Sequence, residues 1–171
     1  MPWLGTVRRL GLVLTVVLGL ALAPTSVATP PAAGLVVPGK SFGGLSLGAT
    51  PVQVRAAWGS RFGVCRDCRA RTWYFNQRKF YPEGVGVTFR RGRVVALFTV
   101  WSPPGWRTNR GLRINDPTVR ISGLYGTLLR VNCGTYAAIT LRRGRTTTSV
   151  YVVDERVWGF GLSRPSQPTC R

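Results

Sequence analysis

The four cysteines are the residues whose spacing points most directly to chemistry. Cys65 and Cys68 are separated by two residues, and Cys133 and Cys170 lie far apart in the second half of the chain. A Cys-x-x-Cys pair can act in redox exchange or supply half of a zinc site, but the redox motif follows a strand and precedes a helix. Here a predicted helix comes first and a predicted strand follows, and no second Cys-x-x-Cys is present for a zinc ribbon. We therefore interpret these cysteines as structural.

Three disulfide pairings of the four cysteines are compatible with the sequence. Cys65 with Cys68 would close a tight loop, and Cys133 with Cys170 would then tether the last residues to the second half of the chain. In the chain-entropy model the longer loop contributes about 4 kcal/mol and the shorter one about 2 kcal/mol. Disulfides indicate an oxidising compartment outside the cytosol.

Acidic side chains are the other candidates for catalysis, because the chain contains no histidine. Without histidine, the commonest general base and most catalytic zinc sites are excluded. Asp116 is better explained as a helix cap, and Asp154 and Glu155 as a hairpin turn. Asp67 and Glu83 remain a conceivable glycosidase-like pair, since the sequence does not fix their separation. With so little else to support a site, we predict a non-enzymatic protein without a cofactor or a metal ion.

A set of aromatic and arginine side chains on or beside predicted strands forms the candidate binding face. Its members are Trp73, Tyr74, Trp101, Trp158, Arg91, Arg93 and Arg143. Aromatic residues on strands usually belong to the core, and arginines at hairpin tips are often solvated charge. Strand alternation puts Trp73 and Tyr74 on opposite faces, so one of them is a candidate for an open face. A basic rim around an aromatic sheet face has the composition of a protein interface, and it would also suit single-stranded nucleic acid.

The net charge of +19 arises from 24 basic and 5 acidic side chains. Two explanations remain open. Arginine-rich composition can simply be spread over a solvated surface, or it can attract an acidic partner such as a phosphate polymer, an anionic envelope glycan or an acidic protein. The charge exceeds the magnitude of about 2–8 that solubility alone requires of a small domain.

Residues 1–28 have the pattern of a secretory signal peptide. Arg8 and Arg9 form a basic segment, an apolar run of fourteen residues covers 10–23, and small residues stand at 26 and 28. This order is typical of a cleaved leader, and a membrane-spanning helix needs about 20 apolar residues. The sequence therefore predicts a protein that is secreted or held in the cell envelope, with no stable membrane anchor after cleavage.

The sixteen residues 44–59 recur loosely at 111–126, with glycine at both ends of each copy. Thr50, Pro51 and Gln53 predict a capped helix start in the first copy, and Asp116 and Pro117 do so in the second. Three predicted strands follow each helix, at 71–76, 84–89 and 94–101 and then at 136–141, 146–153 and 156–162. Because the helix and the last hairpin both recur at nearly one offset, the pattern predicts an internal repeat.

The predicted fold class is α+β: two tandem repeats, each a short helix followed by a three-stranded antiparallel meander, with the sheets joined into one curved surface. The predicted boundaries are a signal peptide at 1–28, a flexible leader at 29–40, the first repeat at 41–101, a linker at 102–110, the second repeat at 111–163 and a C-terminal tail at 164–171. A repeat of about 60 residues is marginally stable on its own.

A shared set of glycine, cap and core positions resembles a known fold family. The matching residues are Gly44, Leu45, Leu47, Gly48, Thr50, Val54 and Gly59, followed by Phe89, Gly92, Arg93, Val94 and Val95. They resemble the repeat of β-lactamase inhibitory protein and of the small outer-membrane assembly lipoproteins that share its fold. The resemblance implies two units whose sheets form a concave surface that grips a partner protein, with a local disulfide in each unit.

This chain departs from that family in two ways. Cys65 and Cys68 are very close while Cys170 lies far from Cys133, and the charge is strongly positive. No residue that contacts a β-lactamase can be matched. We therefore predict an exported, non-enzymatic binding protein that uses its sheet face for a protein–protein interaction, inhibitor-like in manner, with an acidic extracellular or envelope protein. The alternative is a basic protein that binds an anionic cell-envelope polymer or nucleic acid.

Overall fold

The computed structural model describes Met1 and residues 33–75, 84–100 and 103–171. Apart from Met1, the predicted signal peptide lies outside the described residues, as do Glu83 and Trp101. Within the described part of the chain, no helix is both long enough and apolar enough to cross a membrane.

The described residues form eleven strands and two short helices. In chain order these are β1 Gly34–Val37, β2 Ser41–Phe42, α1 Pro51–Trp58, β3 Phe62–Val64, β4 Thr72–Phe75, β5 Gly84–Arg90, β6 Arg93–Val100, β7 Trp106–Thr108, α2 Val119–Tyr125, β8 Leu129–Asn132, β9 Ala137–Arg143, β10 Thr146–Val153 and β11 Arg156–Ser163.

Eight of the strands form one antiparallel sheet in the order β3-β4-β5-β6-β11-β10-β9-β8. The two halves of the chain meet where β6 pairs with β11, with Leu97 opposite Leu162. A second, three-stranded sheet has the order β2-β1-β7, in which β1 runs parallel to β7. It joins the beginning of the described chain to the middle of the sequence.

The predicted fold class is wrong. The protein is mostly β, with one large eight-stranded sheet instead of two units of one helix and three strands. Four strands of the large sheet follow each helix because β3 and β8 extend that sheet at its two edges, where the sequence predicts loops. In addition, β1 lies in the predicted leader at 29–40 and β7 in the predicted linker at 102–110. Strands of three or four residues carry too little alternation to be recognised without their partners.

Helix α1 begins as its sequence predicts. The Thr50 hydroxyl accepts a hydrogen bond from the Gln53 backbone N–H at 3.2 Å, and the Gln53 side chain accepts one from the Thr50 N–H at 2.8 Å. This reciprocal capping box satisfies two of the donors that a helix start leaves unpaired. The helix is only eight residues long, so it depends on burial of Val54 and Trp58 against the sheet.

Helix α2 differs from its prediction. It begins at Val119 after Thr118, which makes no side-chain cap. Asp116 instead accepts a hydrogen bond from the Arg113 backbone N–H at 2.8 Å and pairs with Arg120 at 3.0 Å. The Asp116 carboxylate therefore stabilises the turn before α2 and does not cap the helix.

The core lies between one face of the large sheet and the two helices. Alternate residues of β4 and β5, among them Trp73, Phe75, Val85 and Val87, point toward it and are fully buried. The Trp58 Nε1 donates to the Gly43 carbonyl oxygen at 2.8 Å, which attaches α1 to the segment after β2. The interior is therefore aromatic and continuous across both halves.

The second face of the sheet is built from small residues and a few rings. A Cβ atom on Gly86 would lie 2.3 Å from the Phe98 ring, and one on Gly161 would lie 2.5 Å from the Tyr151 hydroxyl. These two glycines leave the space that the Phe98 and Tyr151 rings occupy when they lie flat across neighbouring strands. The rings belong to a second cluster with Ala138, separate from the core under the helices.

Candidate functional site

Trp73 does not lie on an open face, contrary to its place in the predicted binding face. Its side chain is 0% exposed and stacks on Phe62 with ring centroids 3.9 Å apart. The Phe89 ring meets it edge-on at 4.6 Å. Trp73 and Tyr74 do lie on opposite faces of β4, as strand alternation predicts. Helix α1 covers the face that carries Trp73, so Trp73 belongs to the core.

Tyr74 and Trp158 lie on the opposite face, where each is partly buried. The Tyr74 ring meets Phe98 edge-on at 6.1 Å, and the Trp158 ring lies 5.7 Å from Tyr136. The structure therefore brings two of the predicted aromatic residues into one cluster. The third, Trp101, lies outside the described residues.

The last residues of the sequence occupy this second face. Ser163 pairs with Thr147 at one end of the sheet, whereas Tyr136 precedes β9 at the other end. Residues 164–171 run back between these points, and Arg171 exchanges two hydrogen bonds with the Tyr136 hydroxyl. Its guanidinium lies 5.2 Å from the Phe98 ring centroid. An arginine thus sits on the aromatic surface that the sequence predicts to be open.

The Tyr74 and Tyr151 hydroxyls of this cluster are held in their neutral form. Burial raises the pKa of Tyr151 above its ordinary value, and the positive charge of Arg171 opposes that rise. Burial likewise raises the pKa of Tyr74, and the charge of Arg171 again opposes the rise. These hydroxyls can act as hydrogen-bond partners at neutral pH, but they do not supply a base.

Two disulfides are present, Cys65–Cys68 and Cys133–Cys170. The first lies in the loop between β3 and β4, and the second joins the loop between β8 and β9 to the tail. This is one of the three pairings that the sequence allows. The described residues hold no group of three His, Cys, Asp or Glu side chains that could bind a metal ion.

The arginine-rich hairpin tips lie at the same end of the sheet. Arg91 and Gly92 turn β5 into β6, and residues 144–145 turn β9 into β10. Through the register Ala96 to Ser163, Ser163 to Thr147 and Thr147 to Arg142, the two turns end on one side. Arg91 has a positive φ of 50° followed by 69° at Gly92, which is the backbone of a tight two-residue hairpin turn.

The loop that carries Cys65–Cys68 joins the same end, because Val64 and Thr72 both lie on that side of the sheet. We call this surface the arginine end. Its basic members, all exposed, are Lys40, Arg66, Arg69, Arg71, Arg90, Arg91, Arg93, Arg142, Arg143, Arg145 and Arg164. Asp67 is the one described carboxylate there. Arg91, Arg93 and Arg143 of the predicted binding face thus belong together, but at the sheet end and apart from the aromatic cluster.

The other described carboxylates lie at the opposite end of the sheet, which we call the cleft end. Asp154 and Glu155 form the turn between β10 and β11, and the Asp116 carbonyl oxygen accepts a hydrogen bond from Val157 in the same region. Asp67 is therefore far from these three, and its predicted partner Glu83 lies outside the described residues. Sequence reasoning missed this division because it depends on the β6–β11 register.

Comparison with known proteins gives a fold but no family. No family model matches the chain, and no curated protein matches it. Among solved structures, the chain is similar to an extracellular protein containing an SCP domain from Bacillus anthracis, with 12% identity, a TM-score of 0.51, and coverage of 70% of this chain and 44% of that one. The chain thus spans less than half the length of that protein.

A second similar structure is a DUF4309 family protein from Bacillus subtilis. It has 17% identity and a TM-score of 0.52, and the match covers 71% of this chain and 82% of that chain. At such identities the likeness extends to the fold alone. The resemblance to β-lactamase inhibitory protein stays a prediction, and the chain is similar in fold to these two bacterial proteins.

Proposed function

We propose that this protein is an exported, non-enzymatic binding protein whose arginine end binds a polyanionic polymer. The observation that carries the proposal is the convergence of two hairpin tips and the Cys65–Cys68 loop at one end of the large sheet. Eleven exposed basic side chains share that end with Asp67 alone among the described carboxylates. Such a concentration of one sign of charge attracts and orients an oppositely charged partner.

The shape of the arginine end favours an extended partner. At the arginine end, the strand order puts three connections in a row across the sheet: the β3–β4 loop, the β5–β6 tip and the β9–β10 tip. Five strand spacings separate the first from the last, which is about 24 Å. Guanidinium groups bind phosphate and carboxylate oxygens in a two-pronged geometry. A row of them matches the repeated anionic groups of an envelope polymer better than a single compact ligand.

Export is supported by three independent features. The sequence begins with a signal-peptide pattern, the described cysteines form two disulfides, and a protein of similar fold is described as extracellular. Disulfides persist in oxidising compartments. The proposed site of action is therefore the cell envelope or the surrounding medium.

The sheet face offers less support for a partner than the arginine end does. Trp73 is fully buried, and Arg171 lies against Phe98 and Tyr136 on the opposite face. A protein that used this face would have to displace the tethered tail. We therefore favour the charged end of the sheet over its aromatic face.

The test is a binding titration with long-chain polyphosphate, and with poly-L-glutamate as a carboxylate polymer. We compare the wild type with R91Q/R143Q/R145Q, which removes three charges from the two tips. The matched control is R61Q/R120Q/R130Q, which removes three exposed charges away from both the arginine end and the other arginines that line a cleft. We expect the tip variant to bind at least tenfold more weakly in 50 mM salt, with the slope of log K against log salt reduced by about 3.

The control variant should lose less than threefold in affinity. Equal weakening of both variants would mean that binding follows net charge and is not located at the arginine end. Binding that survives 0.5 M salt without loss would contradict the ionic mechanism itself, because exposed charges are then screened within a few ångströms. Preference for one of the two polymers identifies the chemistry of the anionic group.

A further inference from the structure

A cleft of about 710 Å³ lies at the cleft end of the sheet, away from the arginine end. Its walls are β7 with the residues just before it, the 113–115 segment, and the turn and first residues of β11. We call it the β7 cleft. Its size is that of a small-molecule site, since such sites commonly enclose about 300–1,000 Å³.

Two arginines lie side by side in the wall of this cleft. Arg107 and Arg113 form an isolated antiparallel bridge, and both line the cleft. The flanking hydrogen bonds run from Thr108 N–H to Leu112 and from Ile114 N–H to Trp106. The arginine pair is therefore of the non-hydrogen-bonded kind, in which the Cα atoms are about 4.5 Å apart and the side chains leave the same face.

Like charges placed directly opposite in this way destabilise a strand pair. Neither Arg107 nor Arg113 takes part in an ion pair among the described residues, where the ion pairs join Arg120 to Asp116 and Arg130 to Glu155. An anion bound between the two guanidinium groups would convert their repulsion into attraction to a shared partner.

A third arginine completes the charged side of the cleft. Arg156 lines it while donating to the Asn115 carbonyl oxygen at 3.1 Å, which holds its guanidinium in place. Asp154 is the one carboxylate of the described lining, so the cleft keeps an excess of two positive charges. The remaining lining includes the apolar residues Pro104, Ile114 and Val157.

We propose that the β7 cleft binds a small amphipathic anion. A phosphate or carboxylate group lies between Arg107 and Arg113, and an aromatic or aliphatic body packs on Pro104 and Ile114. Charge fixes the orientation of the ligand, and the apolar wall adds affinity that a bare anion does not obtain. The site is separate from the arginine end, so the two proposals fail independently.

The probe is 1-naphthyl phosphate, measured by isothermal titration calorimetry on the whole chain with its disulfides intact. Inorganic phosphate and 1-naphthol present the two halves of the probe separately. We expect one molecule bound per chain, at least tenfold more tightly than either half. Inorganic phosphate that binds as tightly as the probe would overturn the role of the apolar wall, and 1-naphthol that does so would overturn the role of the arginines.

The test variant is R107Q/R113Q, and the matched control is R91Q/R143Q at the arginine end. We expect the first to weaken binding of 1-naphthyl phosphate at least tenfold and the second less than twofold. Because R107Q/R113Q also removes the like-charge pair, the free variant should melt at or above the temperature of the wild type. Unchanged affinity in R107Q/R113Q, or the absence of binding to the wild type, would overturn the proposal.

Discussion

The two ends of the eight-stranded sheet are made from the same kinds of turn but carry different charge. At the arginine end, Asp67 is the one described carboxylate among eleven basic side chains. At the cleft end, the loops and turns contain Asp116, Asp154 and Glu155. There Asp116 pairs with Arg120 at 3.0 Å, and Glu155 pairs with Arg130 at 2.7 Å.

This difference shows how the chain distributes its net charge of +19. At the cleft end, Asp116 and Glu155 form ion pairs with arginines of the same chain. The described ion pairs include no residue of the arginine end. Exposed ion pairs contribute little stability, so their absence from the hairpin tips costs the fold little. The tips therefore lose little stability by lacking carboxylate partners, and their charge stays available to an external anion.

Each end is also closed by its own disulfide, and the two should differ in their effect on stability. Cys133–Cys170 closes a loop of 37 residues and Cys65–Cys68 a loop of 3. Because longer loops restrict the unfolded chain more, we expect C133A/C170A to lower the free energy of unfolding by about 4 kcal/mol and C65A/C68A by about 2 kcal/mol. Urea unfolding of the two variants beside the wild type measures both values.

The same pair of variants separates stability from binding. C133A/C170A releases the tail that holds Arg171 on Phe98, yet it leaves the hairpin tips in place. Its affinity for polyphosphate should stay within about twofold of the wild type, since no side chain of the arginine end is changed. A larger loss of stability in C65A/C68A than in C133A/C170A would contradict the loop-length argument.

The Glu155 carboxylate gives a smaller, pH-dependent effect at the cleft end. Hydrogen bonds from Arg130 and Thr118 and the charge of Arg130 lower the pKa of Glu155 below its ordinary 4.5. A lowered pKa stabilises the folded state above the unfolded pKa, and that stabilisation is lost as the pH falls through the folded value. We expect E155Q to melt about 1–3 °C below the wild type at pH 7, and we expect this deficit to shrink as the pH falls below 4.5.

R130Q is the matched control for this prediction, because it removes the partner and leaves the carboxylate. It should show a deficit of similar size at pH 7, and the double variant should add little to either single one. A deficit for E155Q that is the same at pH 7 and pH 3 would mean that the ion pair is not its cause.

The sequence predicts the parts of the fold that local patterns determine. The Thr50–Gln53 cap is present because both partners lie within one turn, and the longer strands β5, β6, β9, β10 and β11 lie close to where alternation puts them. The short strands β3, β8, β1 and β7 are missed because their pairing depends on distant partners.

In the candidate site too, local patterns are predictable from the sequence and long-range packing is not. Alternation separates Trp73 from Tyr74, but only the packing of α1 decides which of the two is buried. The arginines of the hairpin tips are visible in the sequence, whereas their meeting at one end depends on Leu97 pairing with Leu162 across the two halves. The Arg107–Arg113 bridge likewise has no local signal, since it follows from the path of the chain after β7.

An NMR titration can locate polyanion binding at the arginine end residue by residue. Polyphosphate is added to the ¹⁵N-labelled protein, and the shift of each backbone amide is followed. We expect the largest shifts on residues 90–93 and 142–145 and on the loop at 65–71, with little change at 154–157. Largest shifts at Tyr74, Phe98 and Tyr151 on the sheet face, or around Arg107 and Arg113, would contradict binding at the arginine end.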